Sequence, residues 1–177
     1  KNGSINDLVD IKTMPTIKDL LLHTAGFSYN FIGDTIGREY DRLKIFYSPD
    51  TTLEEEINTL SKIPLLHQPS EEWNYSVAID VLARIIEVVE NNSLQNILSS
   101  KIFIPLGMNN TGFSVSSSEV NNIMDTYEYN EDKKQLSEII YSPQKISGYS
   151  YPSNKNTYAR GGHGLFSTLD DYFIFSE

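Results

Sequence analysis

The sequence predicts an α-rich α+β fold with one small β-hairpin, and three observations carry that reading. Apolar residues recur at helical spacing from about Tyr75 to Glu90, where Ala78, Val81, Leu82, Ile85, Ile86 and Val89 form one stripe. Serine or threonine repeatedly precedes a helical run with an acidic residue three places on, the mark of a capped N-terminus. Two short runs, Met124 to Tyr129 and Leu136 to Tyr141, flank the polar turn Asn130-Glu131-Asp132-Lys133, as strands of a hairpin do.

The elements follow in order. Lys1 to Pro15 is polar and irregular, and Pro15 marks a boundary. Thr16 caps a short helix, with Asp19 completing the capping box before Leu20-Leu21-Leu22, and Gly26 is expected to end it as a left-handed glycine. From Phe27 to Asp50 no period holds, so this stretch reads as a long structured loop with room for a helical turn. Thr51 or Thr52 caps a second helix through Leu60, whose first turn carries Glu54, Glu55 and Glu56 at the positive end of the helix dipole. Pro64 and Pro69 bracket an extended connector.

In the main helix, Ile79 and Val88 widen the apolar stripe, so most of its circumference is expected to be buried before Asn91-Asn92 breaks it. Ser93 caps a further helix from Leu94 to Phe103, which Pro105 and Gly107 follow. Ser114 to Glu119 has the composition of an exposed loop, and Ser142 to Tyr158, with Pro143, Gly148 and Pro152, has loop chemistry. Ser167 and Thr168, each three residues before Asp170 or Asp171, start a last helix. No internal repeat is visible, and 177 residues fit a single domain with a core of its own.

Composition narrows the partners. The formal charge is −10, from 24 acidic against 14 basic residues, a surface that repels phosphate backbones and anionic headgroups. Neither nucleic acid nor lipid is an expected partner. Cysteine is absent, which removes disulfides, thiolate metal ligands and thiol nucleophiles. No apolar run reaches membrane-spanning length, so no span is expected; the compartment stays open between cytoplasmic and secreted.

Chemistry has few candidates. Tyr75, in Trp73-Asn74-Tyr75-Ser76 at the mouth of the apolar helix, is placed where a rigid platform could present a phenol. A free phenol has a pKa near ~10 and needs a neighbouring cation to act as a base. Tyr75 therefore either carries a proton between a serine hydroxyl and a leaving group or packs at a helix start beside Trp73. Ser142-Pro143-Gln144-Lys145 is a literal Ser-x-x-Lys, but Pro143 and Gly148 disfavour the helix that would align the pair, and it reads as a chance match. His23, His67 and His163 lack ligand spacing, so no metal or other cofactor is expected. His23, at a helix end, reads as a dipole partner or a core hydrogen-bonding group. Gly162 and His163, within Gly161-Gly162-His163-Gly164, suit either the wall of a substrate pocket or tight packing.

Four segments in order resemble the serine β-lactamase-like hydrolases, in particular a carboxylesterase branch related to class C β-lactamases and penicillin-binding proteins. They are Thr16 to Phe27 (with Leu22-His23-Thr24-Ala25-Gly26), Trp73 to Leu82, Ile102 to Met108 with Thr111-Gly112-Phe113, and Gly161 to Thr168. The resemblance implies the helical lobe and adjoining part of a β-lactamase/transpeptidase-like fold, with residues 1–177 as one partial domain and the active site between two lobes. It implies a nucleophilic serine and a lysine, in Ser-x-x-Lys, upstream of the Leu-Leu-His-Thr segment, and an oxyanion-hole strand beyond Glu177. Of the catalytic groups, only the tyrosine motif carries over, and it falls on Tyr75.

Two departures matter. The relatives that act on β-lactams and peptides tend to have Tyr-x-Asn, whereas this chain has Tyr75-Ser76-Val77, and valine offers a substrate amide nothing to bond. Ser70 stands where the family often has glycine, which leaves the local turn geometry open. The expectation is a whole protein that hydrolyses small or medium acyl esters through an acyl-enzyme, with residues 1–177 alone inactive. The alternatives are acyl transfer to an alcohol, β-lactamase or D-alanyl-D-alanine carboxypeptidase activity, and a non-catalytic homologue that binds cell-wall peptides or a protein partner.

Overall fold

Side-chain caps decide where most of the helices begin. A computed structural model describes residues 4–45, 51–139 and 159–177 of the chain. Helix α1 (Ile17–Leu22) opens on the Thr16 capping box, in which the Asp19 amide donates to Thr16 Oγ1 and Asp19 returns the bond at the Thr16 amide. It stops at His23, in the left-handed conformation with φ 55°, three residues before the expected glycine. Gly26 has φ 92° for another reason: a Cβ there would lie 2.5 Å from the His67 carbonyl oxygen.

The expected loop from 27 to 50 holds more structure than one turn. A 3₁₀ turn spans Asn30–Ile32, and helix α2 (Thr35–Arg42) follows, capped by Asp34, which accepts the Gly37 amide at 2.7 Å. Ile36, Gly37 and Tyr40 are its buried residues, and a Cβ on Gly37 would stand 2.3 Å from the Tyr29 carbonyl oxygen. Close approach to the preceding turn thus requires a glycine inside a helix, which is why propensity alone does not reveal α2.

Helix α3 (Leu53–Leu60) starts at Thr52 with a second capping box, completed by Glu55. Helix α4 (Ala78–Glu90) begins three residues later than the periodicity suggests, because residues up to Val77 are held by α1 and its following loop, and it ends at left-handed Asn91. It packs against α1, α3 and helix α5 (Leu94–Leu98), and its Ala78, Asp80 and Ala83 are buried. Its far end differs from the expected burial of most of the circumference: Val88 and Val89 are 63% and 76% exposed. The expected helix from Leu94 to Phe103 is interrupted: α5 passes into a π-helical turn (Ser99–Phe103), then α6 (Ile104–Leu106) and left-handed Gly107.

The hairpin is present, shifted slightly from the expected runs. Strands β1 (Thr126–Asn130) and β2 (Gln135–Ile139) pair antiparallel with Tyr127 opposite Glu138. An isolated bridge joins Gly112 to Phe166, and helix α7 (Leu169–Ser176) follows, capped by Thr168 rather than Ser167. Ser142 and Lys145 lie outside the described residues, as does the loop around them.

Three apolar clusters form the core. One joins Ile36, Tyr40, Ile45, Leu60 and Val77; another Leu53, Ala83, Leu94, Phe113 and Ala159; the third Leu20, Ala25 and Ala78. Helix α4 or the residue before it contributes to all three, so whatever sits at its N-terminus has a rigid base. Among the described residues no helix is long and apolar enough to cross a membrane.

Candidate active site

The turn that carries Tyr75 is sewn onto the end of α1 by four backbone hydrogen bonds. The Leu66 amide donates to Gly26 O (2.7 Å), Ser70 to Thr24 O (2.9 Å), Asn74 to His23 O (2.9 Å) and Val77 to Ser28 O (3.2 Å). The Asn74 side chain adds a bond to Phe27 O at 2.9 Å. The extended connector between Pro64 and Pro69 therefore acts as a strap along residues 24–28.

Asp19 locks the strap. Its buried carboxylate accepts from Ser70 Oγ (2.5 Å), Thr16 Oγ1 (2.6 Å), Thr24 Oγ1 (2.9 Å) and the Thr16 amide (2.9 Å). Those donors, Ser70 first and then Thr16, hold the acid far below the ordinary carboxylate range. Ser70 has φ 67°, a conformation in which glycine is at ease, and its hydroxyl bond to Asp19 offsets the strain.

Tyr75 itself is 46% exposed, and its ring rests between two others. The His23 ring lies 5.0 Å away centroid to centroid, tilted by 46°; Tyr29 lies 5.2 Å away at 41° and stacks in turn on Phe31 at 4.8 Å. Such tilted and offset arrangements suit the ring quadrupoles. Ser76 is buried, with its amide donating to His23 Nδ1 at 3.2 Å and its hydroxyl 3.2 Å from the same nitrogen. His23 thus proves a hydrogen-bonding partner of the tyrosine turn rather than a dipole partner, and burial lowers its pKa.

Gly162 reaches the same place from the far end of the chain. Its amide donates to Asp80 Oδ1 at 3.1 Å, in the first turn of α4. A Cβ on Gly162 would lie 2.8 Å from both Asp80 Oδ2 and Tyr29 Oη, and one on Gly161 only 2.2 Å from the Ile79 carbonyl oxygen. Two glycines in succession let this loop press against α4, and Tyr29, touching Tyr75 by its ring and facing Gly162 by its hydroxyl, joins the two regions. His163 follows, half-buried; burial first, and the Arg160 charge second, bring its pKa to about 4, so it is neutral at pH 7.

Beneath the loop lies a buried carboxyl group. Asp80 is wholly buried and its Oδ2 has no hydrogen-bond partner; burial pushes its carboxyl up, against the Gly162 amide and the Arg160 charge. Arg160 is itself buried, 3.8 Å from buried Glu56. Sequence reasoning missed Asp80 and Tyr29 as parts of the site. For Asp80 a signal was available: a lone carboxylate on the buried face of an apolar helix needs a partner. Tyr29 gave none, since its position depends on α2 and the 3₁₀ turn. Among the described residues no group of three or more His, Cys, Asp or Glu could hold a metal ion.

Comparison with known proteins gives concordant matches. A family model described as Beta-lactamase matches residues 9–176. The chain is 35% identical over 160 residues to protein Rv1367c of Mycobacterium tuberculosis, which covers 90% of the chain and 37% of that protein. It is 36% identical over 101 residues to esterase EstB of Burkholderia gladioli, covering 55% of the chain and 26% of the esterase. The solved structure of EstCE1, described as a hydrolase with promiscuous acyltransferase activity, superposes with a TM-score of 0.77 at 28% identity, over 97% of the chain and 47% of that protein. The chain therefore spans less than half the length of each of these relatives.

Proposed function

Because the chain belongs to the Beta-lactamase family, we propose that the whole protein is a serine hydrolase that cleaves carboxylic esters through an acyl-enzyme, with Tyr75 as its proton carrier. The observation that supports this most is the setting of Tyr75: a half-exposed phenol, its ring held between His23 and Tyr29, on a turn bonded to α1. A proton carrier must be accessible and must not wander, and this residue meets both requirements.

The serine and lysine are assigned to the part of the whole protein upstream of Thr16. In the reaction, the serine oxygen bonds to the ester carbonyl carbon while its proton passes to the Tyr75 oxygen, which acts together with the lysine. The tetrahedral intermediate collapses, the carbon–oxygen bond to the alcohol breaks, and Tyr75 returns the proton to the departing alkoxide. Water then repeats the sequence on the acyl-enzyme and releases the acid. Gly162 and His163 belong to the wall of the substrate cleft, reached through Tyr29.

Esters are favoured over peptide-like amides by Val77. Its side chain is buried in the cluster of Ile36, Tyr40, Ile45 and Leu60, so the second position after the tyrosine offers no polar group to a substrate. The relative named an esterase supports this reading. Acyl transfer to an alcohol shares the same acyl-enzyme and is favoured by the acyltransferase activity described for EstCE1.

The test uses the full-length protein. A fluorophosphonate probe labels one serine; p-nitrophenyl acetate and butyrate are hydrolysed, and a chromogenic cephalosporin is turned over far more slowly. No labelling and no ester turnover would overturn the proposal, and faster cephalosporin hydrolysis would overturn the preference for esters. Added methanol that yields methyl ester at the expense of acid measures the share of transfer.

A further inference from the structure

His23 makes two backbone-directed bonds that straddle Tyr75. Its carbonyl oxygen accepts the Asn74 amide at 2.9 Å, and its ring Nδ1 accepts the Ser76 amide at 3.2 Å. One residue therefore fixes the chain immediately before and immediately after the tyrosine. The same imidazole also lies against the Tyr75 ring, centroids 5.0 Å apart, and Tyr29 makes a second ring contact at 5.2 Å.

The residue is held for this task at a cost. His23 adopts the left-handed conformation, φ 55°, where a residue with a Cβ is disfavoured. That conformation is the C-cap of α1, with the His23 amide bonded back to Leu20 O at 3.3 Å. Glycine would satisfy the cap more easily. Reaching Ser76 needs a side chain with an acceptor beyond Cβ, an unprotonated nitrogen or an oxygen, and His23 supplies it with Nδ1.

We propose that His23 is the positioning residue for Tyr75: by holding the Asn74 and Ser76 amides and packing on the phenol, it sets the direction in which the Tyr75 hydroxyl points. This role presupposes that Tyr75 carries the proton in ester hydrolysis. Loss of the ring removes the bond at Ser76 and the packing on the phenol, which leaves Asn74 and Val77 as the nearest backbone anchors, so the phenol gains room to swing while the surface that binds the rest of the ester is unchanged. A displacement of about 1 Å at a reacting group can cost about 100-fold in rate.

Two substitutions separate this from a simple structural role, since both tolerate the left-handed backbone. His23→Gly removes acceptor and ring; His23→Asn keeps an acceptor oxygen close to the place of Nδ1. In the full-length protein, with p-nitrophenyl butyrate, His23→Gly is expected to lower kcat about 100-fold with KM within about twofold of the parent. His23→Asn is expected to regain at least about tenfold of that loss, and His23→Gly added to Tyr75→Phe is expected to have no further effect, because the two act as one unit. If His23→Gly does not fold by circular dichroism, His23→Ser, too short to reach Ser76, takes its place. Equal kcat in the glycine and asparagine variants, a change confined to KM, or additivity with Tyr75→Phe would each overturn the role of His23. Undiminished turnover in Tyr75→Phe alone would instead overturn the function on which it depends.

Discussion

Substituting Gly161 by alanine is the most demanding test of how the glycine loop meets α4. The added methyl would stand 2.2 Å from the Ile79 carbonyl oxygen and 2.8 Å from Ala83 Cβ, where ordinary contact begins near 3.4 Å. Neither neighbour is the tip of a flexible side chain. One is backbone in the first turn of α4, the other a methyl fixed to the same helix, so the loop must back away by more than 1 Å or the turn must deform. Overpacking of this kind costs about 1–3 kcal/mol, and the rigidity of both partners places it at about 3. That is a large part of the ~5–15 kcal/mol that holds a domain together. Gly112→Ala is the control, because its nearest neighbour would be Ser114 O at 3.9 Å, and it is expected to cost less than about 0.5 kcal/mol. Urea unfolding of the full-length protein followed by circular dichroism compares the two. If Gly161→Ala unfolds at the same midpoint as Gly112→Ala, the loop is not seated on α4 as described, and the route from Gly162 through Tyr29 to Tyr75 fails with it.

Other consequences follow from the same geometry. In Gly162→Ala the methyl meets only side-chain ends, Asp80 Oδ2 and Tyr29 Oη at 2.8 Å; stability should fall less than in Gly161→Ala, by about 1 kcal/mol, while ester kcat falls through displacement of Tyr29. Val77→Asn buries an amide among Ile36, Tyr40 and Leu60, which should cost about 1–3 kcal/mol in urea unfolding without creating cephalosporin hydrolysis. His163 gives a pH dependence with a definite sign. Its folded value, about 4, lies below the ordinary 6.5, so the unfolded chain takes up the proton first as pH falls; stability is intact above 6.5 and declines from there to about 4, by at most about 3 kcal/mol. Acid unfolding of His163→Gln should show a correspondingly flatter decline over that range.

Much of the fold could be read from residues because it rests on local chemistry. Thr16 with Asp19, Thr52 with Glu55, Ser93 and Thr168 are caps that form through bonds within three residues, and the structure has helices beginning at each. The hairpin was legible for the same reason. Helix α2 was not, since its interior glycine makes sense only beneath the Tyr29 carbonyl, a contact that propensity does not contain. The buried extent of α4 was overestimated: periodicity marks a stripe as apolar, and Val88 and Val89 belong to it yet lie exposed. At the site, Tyr75 and the glycine loop were picked out by residue type. What joins them, Tyr29, Asp80 and the left-handed pair His23 and Ser70, arises from contacts between segments distant in sequence.

The central claim, that the Tyr75 oxygen moves the proton in ester hydrolysis, is met most directly by single-turnover kinetics of Tyr75→Phe in the full-length protein. Tyr75 is 46% exposed and the substitution keeps its ring, so the variant should unfold at the parent's urea midpoint and bind substrate with similar affinity. Its acylation rate should fall by about 10²–10⁴. Acylation within a few-fold of the parent would contradict the account.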